Sequence, residues 1–104
     1  MVVAGDKKIY LIDINNYEIS HEIDTDYRNY CILKLSNNLF LTGDSNGTIT
    51  QYKIENKYLN KKSIKNNCSK NSWMMVMTLL NDKIITGGVG SNEIKIWKNV
   101  KINE

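Results

Sequence analysis

Leu39-Phe40-Leu41-Thr42-Gly43-Asp44-Ser45-Asn46-Gly47-Thr48-Ile49-Thr50-Gln51-Tyr52-Lys53 is the stretch that decides the fold. A short apolar run closes on a small residue and glycine. A polar turn follows, and then a run that alternates apolar with polar. A period close to two sends successive side chains to opposite faces of an extended chain, so both runs read as strands. Asn46-Gly47 suits a tight hairpin between them, because both residue types tolerate positive φ.

The same design occurs twice more. Met1-Val2-Val3-Ala4-Gly5-Asp6 and Lys83-Ile84-Ile85-Thr86-Gly87-Gly88 repeat the first run. Lys8-Ile9-Tyr10-Leu11-Ile12-Asp13 and Glu93-Ile94-Lys95-Ile96-Trp97-Lys98 repeat the second. The glycines Gly5, Gly43 and Gly87 are 38 and 44 residues apart, and Ile9, Ile49 and Ile94 are 40 and 45 apart. Upstream, at an offset of 44, Leu33, Leu35, Asn37, Leu41 and Thr42 fall on Met77, Leu79, Asn81, Ile85 and Thr86. Cys31, Leu33 and Leu35 share one face of a further strand, and more polar strands are expected over Tyr17 to Ile23 and Lys57 to Ile64. Antiparallel four-strand units that recur about every 40 to 45 residues are a signature of stacked propeller blades.

Composition narrows the function classes. The 104 residues are 41% hydrophobic and 24% charged, enough for one small domain with a core. No apolar run has the length of a membrane span, and the longest, Met74 to Leu80, is strand-sized. The opening residues lack the basic-then-apolar build of a signal peptide, so a cytoplasmic location is expected, with a nuclear one also open. A lone histidine, His21, and two cysteines without Cys-x-x-Cys spacing speak against zinc. No disulfide is expected between Cys31 and Cys68. Ser36, Ser45 and Ser91 lack a nucleophile context, and Gly87-Gly88-Val89-Gly90 lacks the Lys-Ser/Thr of a phosphate loop. No catalytic residue, cofactor site or metal site is expected, and the chain reads as a non-enzyme.

The repeats resemble WD40 repeats. Thr42-Gly43-Asp44-Ser45-Asn46-Gly47-Thr48-Ile49-Thr50-Gln51-Tyr52-Lys53 is similar to the long second signature of that family almost position for position. Leu35-Ser36-Asn37-Asn38 is similar to the end of its first strand. Ser72-Trp73-Met74 resembles its aromatic entry to that strand. The departures are Thr25-Asp26 and Ser69-Lys70 at the Gly-His position, and Ile12-Asp13, Tyr52-Lys53 and Trp97-Lys98 at the Trp-Asp position. The family's buried hydrogen-bond network is therefore expected only in part, through Thr42 with Asn46 and Tyr52, or Thr86 with Trp97.

The resemblance implies an all-β fold: a WD40-like β-propeller segment of two to three four-stranded antiparallel blades. Residues 1–26 would be an incomplete blade, 27–68 a full one and 69–104 an incomplete one. A closed ring needs about four to eight blades, so self-association or further propeller blades are expected neighbours. The implied function is a non-catalytic protein–protein interaction scaffold that presents inter-strand loops to a protein partner. The loop residues that would meet it are Tyr27, Arg28 and Asn29, then Asp44, Ser45 and Asn46, then Asn71, Ser72 and Trp73. Tyr, Arg and Trp are the residue types that dominate interface energetics. The alternatives are an RNA- or anion-binding basic surface on residues 57–70, or a propeller fragment with no function of its own. Residues 53–70 hold six lysines against Glu55 alone, yet the net charge is only +3, so nucleic acid is the less favoured partner.

Two packing expectations follow. Leu33, Leu35, Leu41, Ile49, Met77, Leu79, Ile85, Ile94 and Ile96 are expected inside, as aligned positions of stacked sheets. The apolar faces around Val2, Leu11 and Ile12, and around Met75, Val76 and Trp97, are expected to be partly open to water at the two ends of the stack.

Overall fold

A computed structural model describes residues 1–65, 73–81, 83–89 and 94–97. Among them the chain forms ten strands and no helix. β1 (Val2–Gly5), β2 (Lys8–Ile12) and β3 (Ile19–Asp24) form a first sheet. β4 (Asn29–Ser36), β5 (Leu39–Asp44), β6 (Ile49–Glu55) and β7 (Tyr58–Lys65) form a second. β8 (Trp73–Leu80), β9 (Lys83–Val89) and β10 (Ile94–Trp97) form a third. All pairings are antiparallel, and neighbours in sequence are neighbours in each sheet. The all-β antiparallel expectation holds. No helix among the described residues is long and apolar enough to cross a membrane.

The second sheet is covered on both faces. Phe40 and Tyr52 on one face join Ile9 and Leu11 of the first sheet in a cluster that includes Leu59. Leu41 and Ile49 on the other face join Met77 and Ile84 of the third, with Cys31, Leu33 and Leu35 packed around them. This explains why β5 is buried at five successive positions, from Leu39 to Gly43. A strand covered on one side only would alternate; one covered on both sides reads as a continuous apolar run.

The third sheet corrects part of the expected core. Ile84 and Thr86 point to the second sheet, whereas Ile94 is 79% exposed, Ile96 and Leu79 are exposed, and Ile85 is only half-buried. In the repeat, Ile85 and Ile94 occupy the positions of Leu41 and Ile49. Those positions face the following sheet, and among the described residues no sheet lies beyond the third. A bulge adds a second shift. Lys34 pairs with Phe40 but Ser36 with Leu39, so Leu35 is an extra residue in β4. β8 has no bulge there, and Ile85 pairs with Thr78 where Leu41 pairs with Leu33. The offset of 44 therefore shifts Met77 and Leu79 by one residue, which exchanges faces, yet Met77 is buried as expected, against Leu41 and Ile49.

The two outward faces differ. On the third sheet Val76, Leu80, Ile94 and Ile96 are exposed together, so Val76 lies open as expected. The side chains of Met75 and Trp97 lie outside the described residues. On the first sheet the expectation holds only in part: Leu11 is buried and Val2 packs beside it, while Val2 and Ile12 are each half-buried. The outward face there carries Val3 and Tyr10 together with Lys8, which bridges Glu22 at 3.3 Å and Asp24 at 3.7 Å.

The hairpins differ from the sequence reading in one respect. Between β5 and β6 only Gly47 has positive φ, at 75°. Between β6 and β7, Glu55 pairs with Tyr58 around Asn56-Lys57, with φ of 51° and 67°. Two left-handed residues in a two-residue loop define a type I′ turn, which favours glycine at the second position. Lys57 has a Cβ that this conformation penalises. Lys57→Gly is therefore expected to raise stability by about 0.5–1 kcal/mol in urea unfolding. A loss of similar size would mean that the lysine stem packs usefully on the hairpin.

Candidate functional site

The loop between β3 and β4 and the turn between β5 and β6 meet at one end of the first two sheets. The approach is fixed by backbone: Ser45 N–H donates to the Arg28 carbonyl at 2.9 Å, and Thr25 N–H donates to that of Lys7 at 2.9 Å. Asn29 pairs with Asp44 at the start of β4. Its side-chain amide donates to the Gly5 carbonyl at 3.3 Å and to Thr25 Oγ1 at 3.0 Å, tying the two sheets together. The Thr25 hydroxyl donates in turn to the Tyr27 carbonyl at 3.0 Å. These bonds anchor the loop to both sheets at its two ends, so its exposed side chains are presented from a tied base.

Asp44 organises the turn. One carboxylate oxygen accepts the N–H groups of Asn46 at 3.0 Å and Thr48 at 2.9 Å, and its carbonyl accepts that of Gly47 at 3.2 Å. Burial pushes the carboxyl above the usual range, the two N–H groups pull it back, and nearby Asp26 pushes it up again. An aspartate whose folded pKa is raised favours folding when protonated. That contribution is complete below the ordinary carboxylate pKa and is lost as pH rises through the raised value. Asp44→Asn is thus expected to remove a decline in stability on the alkaline side of pH 4 while keeping the turn. Asp44→Ala is expected to cost about 1–2 kcal/mol at pH 7, through two unpaired N–H groups. Thermal melts of both variants across pH 3–7 check this, and equal melting temperatures at pH 7 would sink it.

Between the loop and the turn lies a cleft of about 240 Å³. Asp26, Tyr27 and Asn29 line one wall and Asp44 and Asn46 the other, with Thr50, Tyr52 and Lys61 beneath. Tyr27 is 44% exposed. Arg28 is exposed beside it, with Nε 3.2 Å from an Asp6 carboxylate oxygen. Such an exposed pair contributes little to stability, so the guanidinium can exchange partners at small cost. The structure thus brings Tyr27, Arg28, Asn29, Asp44, Ser45 and Asn46 together. Asn71 and Ser72 lie outside the described residues, and of Trp73 only the backbone, at the start of β8, is described. The sequence reading missed Asp6 and Thr25, whose roles depend on contacts across a sheet boundary.

Other candidate residues have plainer places. His21 is half-buried: its Nδ1 accepts the Leu59 N–H at 2.9 Å, and its ring meets Tyr58 edge-on at 5.1 Å. Of the basic run, Lys57 and Lys61 are exposed, whereas the side chains of Lys62 and Lys65, and all of Lys70, lie outside the described residues. Among the described residues no group of three His, Cys, Asp or Glu is placed to hold a metal ion.

Cys68, and with it the question of a bridge to Cys31, lies outside the described residues. Burial pushes the Cys31 thiol up to about 11, and the thiol faces the Gly43 carbonyl at 4.0 Å. Thiolate is the reacting form. Alkylation of Cys31 at pH 8 is expected to be at least about tenfold slower in the folded chain than in urea, and to quicken as pH rises toward 11. Peptide mass mapping separates it from Cys68. Equal rates in both states would put Cys31 in water.

Compared with protein-family models, curated proteins and solved structures, the chain matches none.

Proposed function

We propose that the chain is a segment of a WD40-like β-propeller and acts as a non-catalytic scaffold for a protein partner. The supporting features of the fold are the 38- to 45-residue repeats and the face-to-face packing of sheets that each repeat supplies. The observation that carries the functional reading is the loop cluster. Exposed Tyr27 and Arg28 stand beside a polar cleft, on loops tied by backbone hydrogen bonds to two packed sheets. A rigid aromatic and a guanidinium at the rim of a cleft are the usual anchors of a protein interface. Recognition here needs placement of side chains and no bond-making step.

Site-specific photo-crosslinking tests it. A photoreactive residue at position 27 is expected to trap a protein, and one at Tyr58, also exposed but on the far hairpin, is not. Tyr27→Ala and Arg28→Ala should each weaken the captured complex about tenfold or more. Its affinity should change little between about 50 and 200 mM salt, whereas a steep fall would favour an anionic ligand on residues 57–70. Equal trapping at both positions would remove the loop cluster as the site.

A further inference from the structure

The cleft at the loop cluster holds negative charge that the described residues do not balance. Asp26 stands on one wall and Asp44 on the other. Burial pushes the Asp44 carboxyl up, and Asp26 is close enough that its charge adds to the rise. Neither carboxylate has an ion pair among the described residues. Lys61 also lines the cleft, but its side chain is exposed and its ammonium can stay in water. Two like charges at a partly desolvated site favour a cation between them. The lining runs from Thr25 to Lys61, so its shape owes nothing to either end of the chain.

A buried hydroxyl points the same way. Thr50 lies beneath the two walls, is only 7% exposed, and has no hydrogen-bond partner for its side chain among the described residues. No side-chain polar atom sealed from solvent lacks a partner among those residues, so this hydroxyl opens to the cleft it lines. A polar group in that position is satisfied by what enters. The acceptors are thus spread over two walls and the floor. An ammonium carries three donors at one point, whereas a guanidinium carries five on a planar fork and reaches separate acceptors at once. Tyr27 at the rim offers an aromatic face, on which guanidinium groups also stack.

We infer that the cleft receives an arginine side chain of the partner protein, its guanidinium between Asp26 and Asp44 and above Thr50. This rests on the reading of the loop cluster as a partner-binding surface and names the chemistry that the surface selects. Arg28, the arginine of this sequence, is paired with Asp6 and is not part of the lining. A half-buried ion pair is screened less than a surface array, in keeping with an affinity that changes little with salt.

The probe is a capped Gly-Arg-Gly peptide, followed through the amide resonances of Asn46 and Thr48, whose N–H groups bind Asp44. It is expected to bind at least about tenfold more tightly than its citrulline counterpart, which keeps the shape without the charge, and more tightly than its lysine counterpart. At saturation it should lower the pH at which Asp44 titrates. Asp26→Asn, at an exposed position, and Asp44→Asn, which keeps an acceptor for the turn, should each weaken binding about fivefold or more. Thr50→Val should weaken it about threefold. Lys61→Met should leave it unchanged or strengthen it. Equal binding of the citrulline or lysine peptide, an Asp44 titration that does not move, or loss of binding in Lys61→Met would overturn the inference. The source of the arginine is read from the complex trapped through position 27, where the captured segment should carry one beside the crosslink. A captured protein with no arginine there, or a captured copy of this chain, would overturn the guanidinium and leave the loop cluster as an interface. No captured protein at all would sink the interface reading and this one with it.

Discussion

Leu41→Ala is expected to lower the unfolding free energy by about 2–5 kcal/mol. Leu41 has no exposed surface and sits in the cluster with Ile49, Met77 and Ile84, where the second and third sheets meet. Removing its side chain forfeits the transfer energy of the lost methylenes and leaves a cavity. Two sheets held by their own hydrogen bonds cannot close around that cavity without distorting both, which favours the upper part of the range. A domain of this size has about 5–15 kcal/mol in total, so the variant would lose a large share of it. The control is Ile85→Ala. Ile85 is the residue that the repeat aligns with Leu41, yet it lies on the outward face of the third sheet, half-buried. Its truncation should cost less than about 1 kcal/mol. Equal losses in urea unfolding would mean that the third sheet presents its other face to the second.

That contrast marks where the sequence stops being readable. Period-two alternation located the strands, because pleating forces it whichever neighbours a strand has. The repeat supplied which strands correspond. Neither signal says whether a given face is covered, and Ile94 copies Ile49 in type and position while one is exposed and the other buried. Coverage depends on what lies beyond the sheet. The bulge at Leu35 was equally silent, since one extra residue in β4 leaves the alternation Cys31, Leu33, Leu35 looking unbroken. At the candidate site, the loops were legible because polar turn residues recur at fixed places between strands. The ties that stiffen them were not, because Asn29 to Gly5 and Arg28 to Asp6 span more than 20 residues and use side chains common in any loop. The Asn56-Lys57 turn escaped notice for a related reason. Its left-handed conformation is imposed by the twist of β6 and β7, not invited by a glycine.

Phe40→Ala is expected to cost about 3–5 kcal/mol, and Tyr52→Phe about 1–3 kcal/mol by a different route. Phe40 and Tyr52 are both buried and stack with ring centroids 5.1 Å apart and planes 11° from parallel, opposite one another on β5 and β6. Both belong, with Leu59, to the cluster that Ile9 and Leu11 of the first sheet join. Deleting the Phe40 ring removes a stacking partner and the floor under the first sheet at once. The Tyr52 hydroxyl has a separate role. It shares a hydrogen bond with the Thr42 side chain, and burial, with Asp44 adding to it, pushes the phenol up to about 12 against that bond. Thr42 is itself buried, so Tyr52→Phe leaves a threonine hydroxyl without this partner in a place water reaches poorly. Thr42→Val in the Tyr52→Phe background removes the stranded hydroxyl and should recover part of the loss, a coupling that the double-mutant cycle measures. The Thr42–Tyr52 bond is one of the side-chain contacts expected from the sequence. Strict additivity of the two changes would show that the bond contributes nothing to the packing of the first two sheets.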